Sequence, residues 1–301
     1  MSIDVKIKNR QLFKKPLLLE DLTLGRYACG SIDEYGRNTG KVKDGYLVIY
    51  DPKRIGRGVS LAWSKEIKNE VELSVNSTST RYDIEMFYEI IRNIMHVWKT
   101  KTFEQEGISF SESDIEKLCA EQRESSLQFL ADIDRLLGAG KSAPITIFAA
   151  MFPLDFEAEK LMRFGSGKDE EGYAEYLHSL QSPDAYYAVP LIYKKKKKEN
   201  SCIGSFAITS GTDTIFPLEA KEPLGFRDPA TGRQVKCDFF AVSLFSIKKD
   251  KIVAKMTFDD FVRLADITNC PMFDYSHVFL RGISEEKMEE IANSDHTDPF
   301  A

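Results

Sequence analysis

No stretch of the chain approaches the roughly 18–20 consecutive apolar residues that a membrane-crossing helix requires, so the sequence offers no helical membrane span. The apolar run at residues 17–19, behind Lys6, Lys8, Arg10, Lys14 and Lys15, is also too short for the hydrophobic segment of a secretion signal. Cysteine is sparse. Cys29, Cys119, Cys202, Cys237 and Cys270 lie far apart with no C-x-x-C pair. That spacing excludes a zinc ribbon or a disulfide framework and implies reduced thiols in a cytoplasmic protein. Basic charge is in deficit, the net charge being −6. A nucleic-acid binder usually shows the opposite balance.

Catalytic signatures are missing as well. The four histidines, His96, His178, His277 and His296, are not paired at metal-ligand spacing, and Cys270 with His277 has no further ligand close by. No G-x-S-x-G nucleophile turn occurs. Residues 137–142 (LGAGKS) imitate the end of a phosphate-binding loop. Arg135 stands where its first glycine belongs, and the order of helix and strand around it is reversed. Gly165-Ser166-Gly167-Lys168 fails similarly, since Asp169 follows. No cofactor and no metal is therefore expected, and no catalytic residue can be named.

What is present is a soluble, globular composition over 301 residues, 43% hydrophobic and 29% charged, long enough for one large domain or two ordinary ones. The strongest periodic signal is residues 80–101. At about 100° per residue, Ile84, Phe87, Tyr88, Ile91, Ile94, Met95 and Trp98 share one face, which Met86, Ile90 and Val97 widen. Glu85, Glu89, Arg92, Asn93, His96 and Lys99 take the other, with Glu89 and Arg92 spaced to pair at i, i+3. Thr80 with Asp83 forms a capping box. So wide an apolar face predicts cover from two directions, a sheet and a second helix.

Before this helix, alternation predicts strands at residues 3–7, 45–50, 59–63 and 71–75, a short helix over 17–24, and a mobile glycine-bearing loop from Gly30 to Gly40. After it come a helical region from Ser113, whose capping partner is Glu116, to Leu137, and a run at 145–151 predicted as a strand buried on both faces. The second half reads as strands at 186–193, 202–208, 235–247, 252–256 and 277–280. Helices capped by Thr257 and Ser284 are set among them. The fold class is α+β, with largely antiparallel sheets in both halves packed by a few amphipathic helices. The expected organisation is an N-terminal region 1–164, a flexible boundary at 165–172, a strand-rich region 173–292 and a disordered tail 293–301, all within what can be one continuous domain.

Two small constellations have binding chemistry. Residues 194–198 are five lysines, read as a solvated hairpin connection with charge that blunts a strand edge. Arg54, Gly56, Arg57 and Gly58 lie on a turn between strands. Two guanidinium forks and exposed backbone N–H groups there can hold an anion, with Lys41, Lys43 or Lys53 nearby.

The segments YDPKRIGRGVSL, EVELSVNSTSTRYDIEMFYEIIRNI, KTFEQEG and IGSFAITSGTDTIFPL together make the chain resemble an uncharacterised bacterial family of about this length. That family is found mainly in Firmicutes and is filed as a domain of unknown function. The resemblance spans nearly the whole chain and implies no activity or site residue. The favoured expectation is a cytoplasmic, non-enzymatic interaction protein of an immunity or regulatory kind, with a protein partner and neither nucleic acid nor membrane. The alternative is a small-anion or nucleotide binder, or an enzyme, using Arg54, Gly56, Arg57 and Gly58.

Overall fold

The computed structural model describes residues 2–137, 144–194, 202–223, 227, 232–234 and 236–300. The chain divides into two compact units, Met1–Ser182 and Pro183–Ala301. The glycine-bearing stretch 165–172, expected as a boundary, lies inside the first.

The first unit is built on seven antiparallel strands. In chain order these are β1 (Ser2–Lys8), β2 (Ala28–Ser31), β3 (Gly45–Tyr50), β4 (Val59–Trp63), β5 (Glu70–Asn76), β6 (Thr102–Gln105) and β7 (Ile108–Ser111). They pair in the order β2-β3-β4-β5-β1-β6-β7. Alternation decides which face is buried: Val5, Ile7, Leu73 and Val75 point inward, while Lys6 pairs with Glu72 and Lys8 with Glu70 outside.

Five helices pack with this sheet or beside it: α1 (Leu19–Thr23), α2 (Arg81–Val97), α3 (Ile115–Ala131), α4 (Ile133–Leu137) and α5 (Ala158–Ser166). A two-stranded hairpin, β8 (Ile145–Phe148) with β9 (Pro153–Phe156), and a sixth helix, α6 (Glu170–Gln181), complete the unit. The periodic stretch 80–101 is α2, capped by Thr80 and Asp83 as expected. The sheet covers it on one side and α1 and α3 on others. Each of its buried side chains contributes roughly 1.5–3 kcal/mol of transfer free energy, so the helix anchors the unit.

Several local expectations are corrected. Glu89 and Arg92 do not pair. Glu89 bonds Arg26 and Tyr27, whereas Arg92 reaches Glu112 and Glu116. Tertiary partners displace the weak i, i+3 contact. The cap before α3 is Ser111 with Asp114, not Ser113 with Glu116. The run at 145–151 gives an edge hairpin with Phe148 half exposed, not a strand buried on both faces. The loop from Gly30 to Gly40 is tied down: the Asp33 carboxylate accepts from the Tyr35 and Arg37 amides, and the Asn38 amide reaches the Met151 carbonyl. Gly165 serves close packing. A Cβ there would lie 2.2 Å from the Ala131 nitrogen of α3.

In the second unit, β10 (Tyr186–Tyr187), β13 (Thr214–Pro217) and β16 (His277–Leu280) form one sheet. A second contains β11 (Leu191–Lys194), β12 (Cys202–Thr209), β14 (Cys237–Ser246) and β15 (Lys251–Thr257). Only β10–β13 and β12–β14 pair in parallel among the named strands, as befits α+β. Helices α7 (Phe258–Leu264) and α8 (Glu285–Asn293) begin at Thr257 and Ser284. At the start of α8, Glu285 accepts from Ser210 Oγ, Ser246 Oγ and the Lys248 amide, which hold its carboxyl down to about 2. The segment after α8, expected to be disordered, is fastened. Thr297 exchanges hydrogen bonds with Thr257 and Asp260, and Phe300 packs on Phe239. Residues 138–142 of the imitation phosphate loop and 195–198 of the lysine run lie outside the described residues.

Candidate functional site

The structure brings Arg54, Gly56, Arg57 and Gly58 together on the connection from β3 to β4, beside the N-terminus of α2. The turn does hold an anion, and the anion is the protein's own. The Asp83 carboxylate accepts from the backbone N–H of Arg57 (2.9 Å), of Gly58 (2.8 Å) and of Thr80 (2.9 Å), and from Thr80 Oγ1 (2.8 Å). Asp83 is 1% exposed. Burial pushes its carboxyl up, and these four donors oppose the shift. The N–H groups that the sequence reading offered to a ligand are thus consumed by a carboxylate 26 residues downstream of Arg57.

Both glycines exist for this closure. A Cβ on Gly56 would sit 2.2 Å from Asp83 Oδ2. Gly58 has φ +74°, and a Cβ there would sit 2.6 Å from the Ile49 carbonyl oxygen. The other side of the turn is held by α6. The Ile55 amide donates to His178 Nδ1 (3.1 Å), so the neutral ring carries its proton on Nε2. Gln181 Nε2 donates to the Gly56 carbonyl (2.8 Å), and its Oε1 accepts from the Met151 amide (3.0 Å).

The two arginines are also engaged. Arg57 donates to the Phe148 carbonyl (3.1 Å) and to Thr78 Oγ1. Burial lowers its pKa while the fields of Tyr173 and Asp83 raise it. Arg54 lies 5.2 Å from the Tyr82 ring centre and 3.5 Å from Glu171. Lys53 is exposed on the same connection and Lys41 and Lys43 are exposed on the loop before β3. This is a clasp joining sheet, α2 and α6.

Beside the clasp a cavity opens between Ser79, Arg81, Arg123 and Glu170. Ser79 Oγ and Arg81 Nε there have no protein partner. The cavity gives the centre of a water-sized sphere about 10 Å³. That suits roughly one water and excludes a nucleotide. Among the described residues no group of three or more His, Cys, Asp or Glu is placed to hold a metal ion, and no helix is long and apolar enough to cross a membrane.

A different surface feature stands out. Between β1 and α1 the chain makes a loop whose tip exposes Leu12 and Phe13 by 90% and 85%, followed by Leu18 at 60%. The tip is open but its base is fixed. Asn9, itself buried, donates from Nδ2 to the Lys15 carbonyl (3.3 Å) and accepts from the Gln11 amide (3.0 Å). Trp98 Nε1, from a fully buried ring, donates to the same Lys15 carbonyl (3.1 Å). The Asn9 and Leu17 amides reach the Asn69 and Ile67 carbonyls. Arg10, Lys14 and Lys15 form an exposed basic collar. Two large adjacent apolar side chains on a fixed support are an unusual surface. Sequence reading passed over them because the pair is too short for any periodic signal; its one trace is the charge pattern, five cations and no acid across residues 5–19.

No curated protein and no solved structure resembles the chain. One family model does, over residues 2–291: the chain belongs to the family described as Domain of unknown function (DUF4299).

Proposed function

We propose that the protein is a cytoplasmic, non-enzymatic interaction protein whose contact surface is the loop carrying Leu12 and Phe13. The observation behind this reading is their exposure at 90% and 85% on a loop hydrogen-bonded at both ends. Burying two such side chains in a partner is worth about 3–6 kcal/mol. The fixed base removes much of the ordering cost that a free loop would incur on binding. The collar of Arg10, Lys14 and Lys15 on a chain of net charge −6 selects a partner whose apolar cleft has an acidic rim. The 54–58 clasp supports the reading from the other side, since its donors are occupied by Asp83.

The test is a photocrosslinking residue at position 13, with the exposed Tyr46 position as control, in the full chain in native lysate. The expected result is one discrete protein adduct at position 13 only. Excess wild type competes it away and the Leu12→Ser, Phe13→Ser double variant does not. Equal adducts at both positions, or competition by the double variant, would reject the loop. Sedimentation with vesicles containing anionic phospholipid, lost in the same variant and without a protein adduct, would replace the protein partner with a membrane surface.

A further inference from the structure

Tyr187, His277 and Asp274 in the second unit form a connected chain of proton-transfer groups that the reading above leaves unused. The Asp274 side chain is 0% exposed, and its Oδ1 accepts from the amides of Ser276 (2.9 Å) and His277 (2.8 Å) and lies 2.9 Å from His277 Nδ1. A carboxylate only accepts, so it places the imidazole proton on Nδ1. The lone pair of Nε2 is then directed at the Tyr187 hydroxyl, 3.2 Å away, with the two ring centres 5.1 Å apart. Tyr187 on β10 and His277 on β16 flank β13, so the sheet fixes the spacing of the two rings. The Asx-type turn at 274–277 fixes the third group. Tyr187 is half-buried.

This is the order nucleophile, base, orienting carboxylate, which is how a weak hydroxyl nucleophile is activated on unrelated folds. The carboxylate oxygen that closes the turn through the Ser276 and His277 amides also lies against His277 Nδ1, so one group sets both the backbone and the tautomer that turns the Nε2 lone pair toward Tyr187. We propose that Tyr187 is a nucleophilic hydroxyl that accepts an acyl group from activated acyl donors, with His277 as its general base and Asp274 as the positioning residue. In the step, Tyr187 Oη forms a bond to the acyl carbon while its proton passes to His277 Nε2. The bond to the leaving group then breaks, and the leaving group takes the proton from His277. The products are an O-acyl tyrosine and the protonated leaving group, with no change of oxidation state.

The probe is N-acetylimidazole, whose leaving group is imidazole, applied to the full chain, with acetylation at all 12 tyrosines followed by peptide mass spectrometry. Tyr46 and Tyr193, 54% and 53% exposed, are internal standards for exposure alone. Tyr187 is expected to acetylate faster than both despite being less exposed. In His277→Gln its rate should fall on the order of a hundredfold, with Tyr46 and Tyr193 unchanged in the same sample. Asp274→Asn should give an intermediate loss. A wild-type Tyr187 rate at or below those of Tyr46 and Tyr193 overturns the proposal without any variant. So does a His277→Gln protein whose Tyr187 reacts at the wild-type rate.

Discussion

The 54–58 clasp and the loop carrying Leu12 and Phe13 are both irregular connections fastened by buried hydrogen bonds, yet they have opposite chemistry at the surface. The clasp turns its donors inward, where Asp83 accepts from three backbone amides and a hydroxyl. The loop spends its hydrogen bonds at the base, through Asn9 and Trp98, and leaves its largest apolar side chains in water. Backbone donors already bonded to a buried carboxylate lower the energy of the fold and are not open to a ligand. An apolar tip left in water adds no buried contact to the fold, which is what the proposed contact surface requires. The difference is between a connection closed on itself and one whose side chains stay open.

The sharpest way to break the comparison is to open the clasp. Asp83→Ala leaves the amides of Arg57, Gly58 and Thr80 without their acceptor and removes half the capping box of α2. Each buried donor so orphaned costs about 1–3 kcal/mol, so a loss of roughly 3 kcal/mol or more is expected in urea unfolding of the full chain. Asp83→Asn should not rescue it, because one amide nitrogen would face an N–H donor. A loss under about 1 kcal/mol would show that the clasp is incidental.

Next in size is Gly58→Ala. A left-handed φ and a Cβ 2.6 Å from the Ile49 carbonyl oxygen combine there, so roughly 2–3 kcal/mol is expected from strain plus displacement. Gly25→Ala is the control: its φ is +65° but nothing lies within 4 Å of the added Cβ. It should cost only about 1 kcal/mol. Equal losses at the two positions would mean that backbone strain alone, and not closure onto β3, makes Gly58 necessary.

Trp98→Phe tests the loop's support. It keeps most of the buried ring but leaves the Lys15 carbonyl with Asn9 Nδ2 as its remaining side-chain donor. The expected loss is about 1 kcal/mol, together with weaker partner binding as the loop is loosened. Unchanged crosslinking at position 13 would separate the tip from its support.

Much of the fold was legible because its signals are periodic or local. Val5 and Ile7 alternate with Lys6 and Lys8, α2 shows its apolar face, and Thr80, Thr257 and Ser284 cap helices within three residues of their partners. The site was legible only in part. The glycines and arginines of 54–58 suggested a turn that could hold a ligand anion, whereas the Arg57 and Gly58 amides hold a carboxylate of the chain itself and the Arg57 side chain goes to Phe148 and Thr78. That carboxylate, Asp83, had already been accounted for as the capping partner of Thr80, and one carboxylate serving both tasks leaves no local mark. His178 and Gln181, over 120 residues from the turn they hold, were beyond reach. Gly165 shows the same limit: flexible in sequence, it is where α5 meets the backbone of α3.

The smallest effect on stability is expected from the change with the largest expected effect on partner binding. Leu12→Ser with Phe13→Ser removes no contact of the buried core, because both side chains are almost wholly in solvent. Its unfolding free energy should stay within about 0.5 kcal/mol of wild type, against the several expected for Asp83→Ala. Partner affinity should fall by about a hundredfold or more, the equivalent of roughly 3 kcal/mol of lost burial. Charge reversal of the collar, Lys14→Glu with Lys15→Glu, should instead act mainly on the association rate and lose its effect as salt rises, because exposed charges are screened over about 10 Å at 0.1 M. A serine pair that destabilises the fold as much as Asp83→Ala would place the tip in the same structural class as the clasp. One that changes neither stability nor binding would remove the loop as a contact surface. Only stability kept with affinity lost leaves the two connections on opposite sides of the comparison.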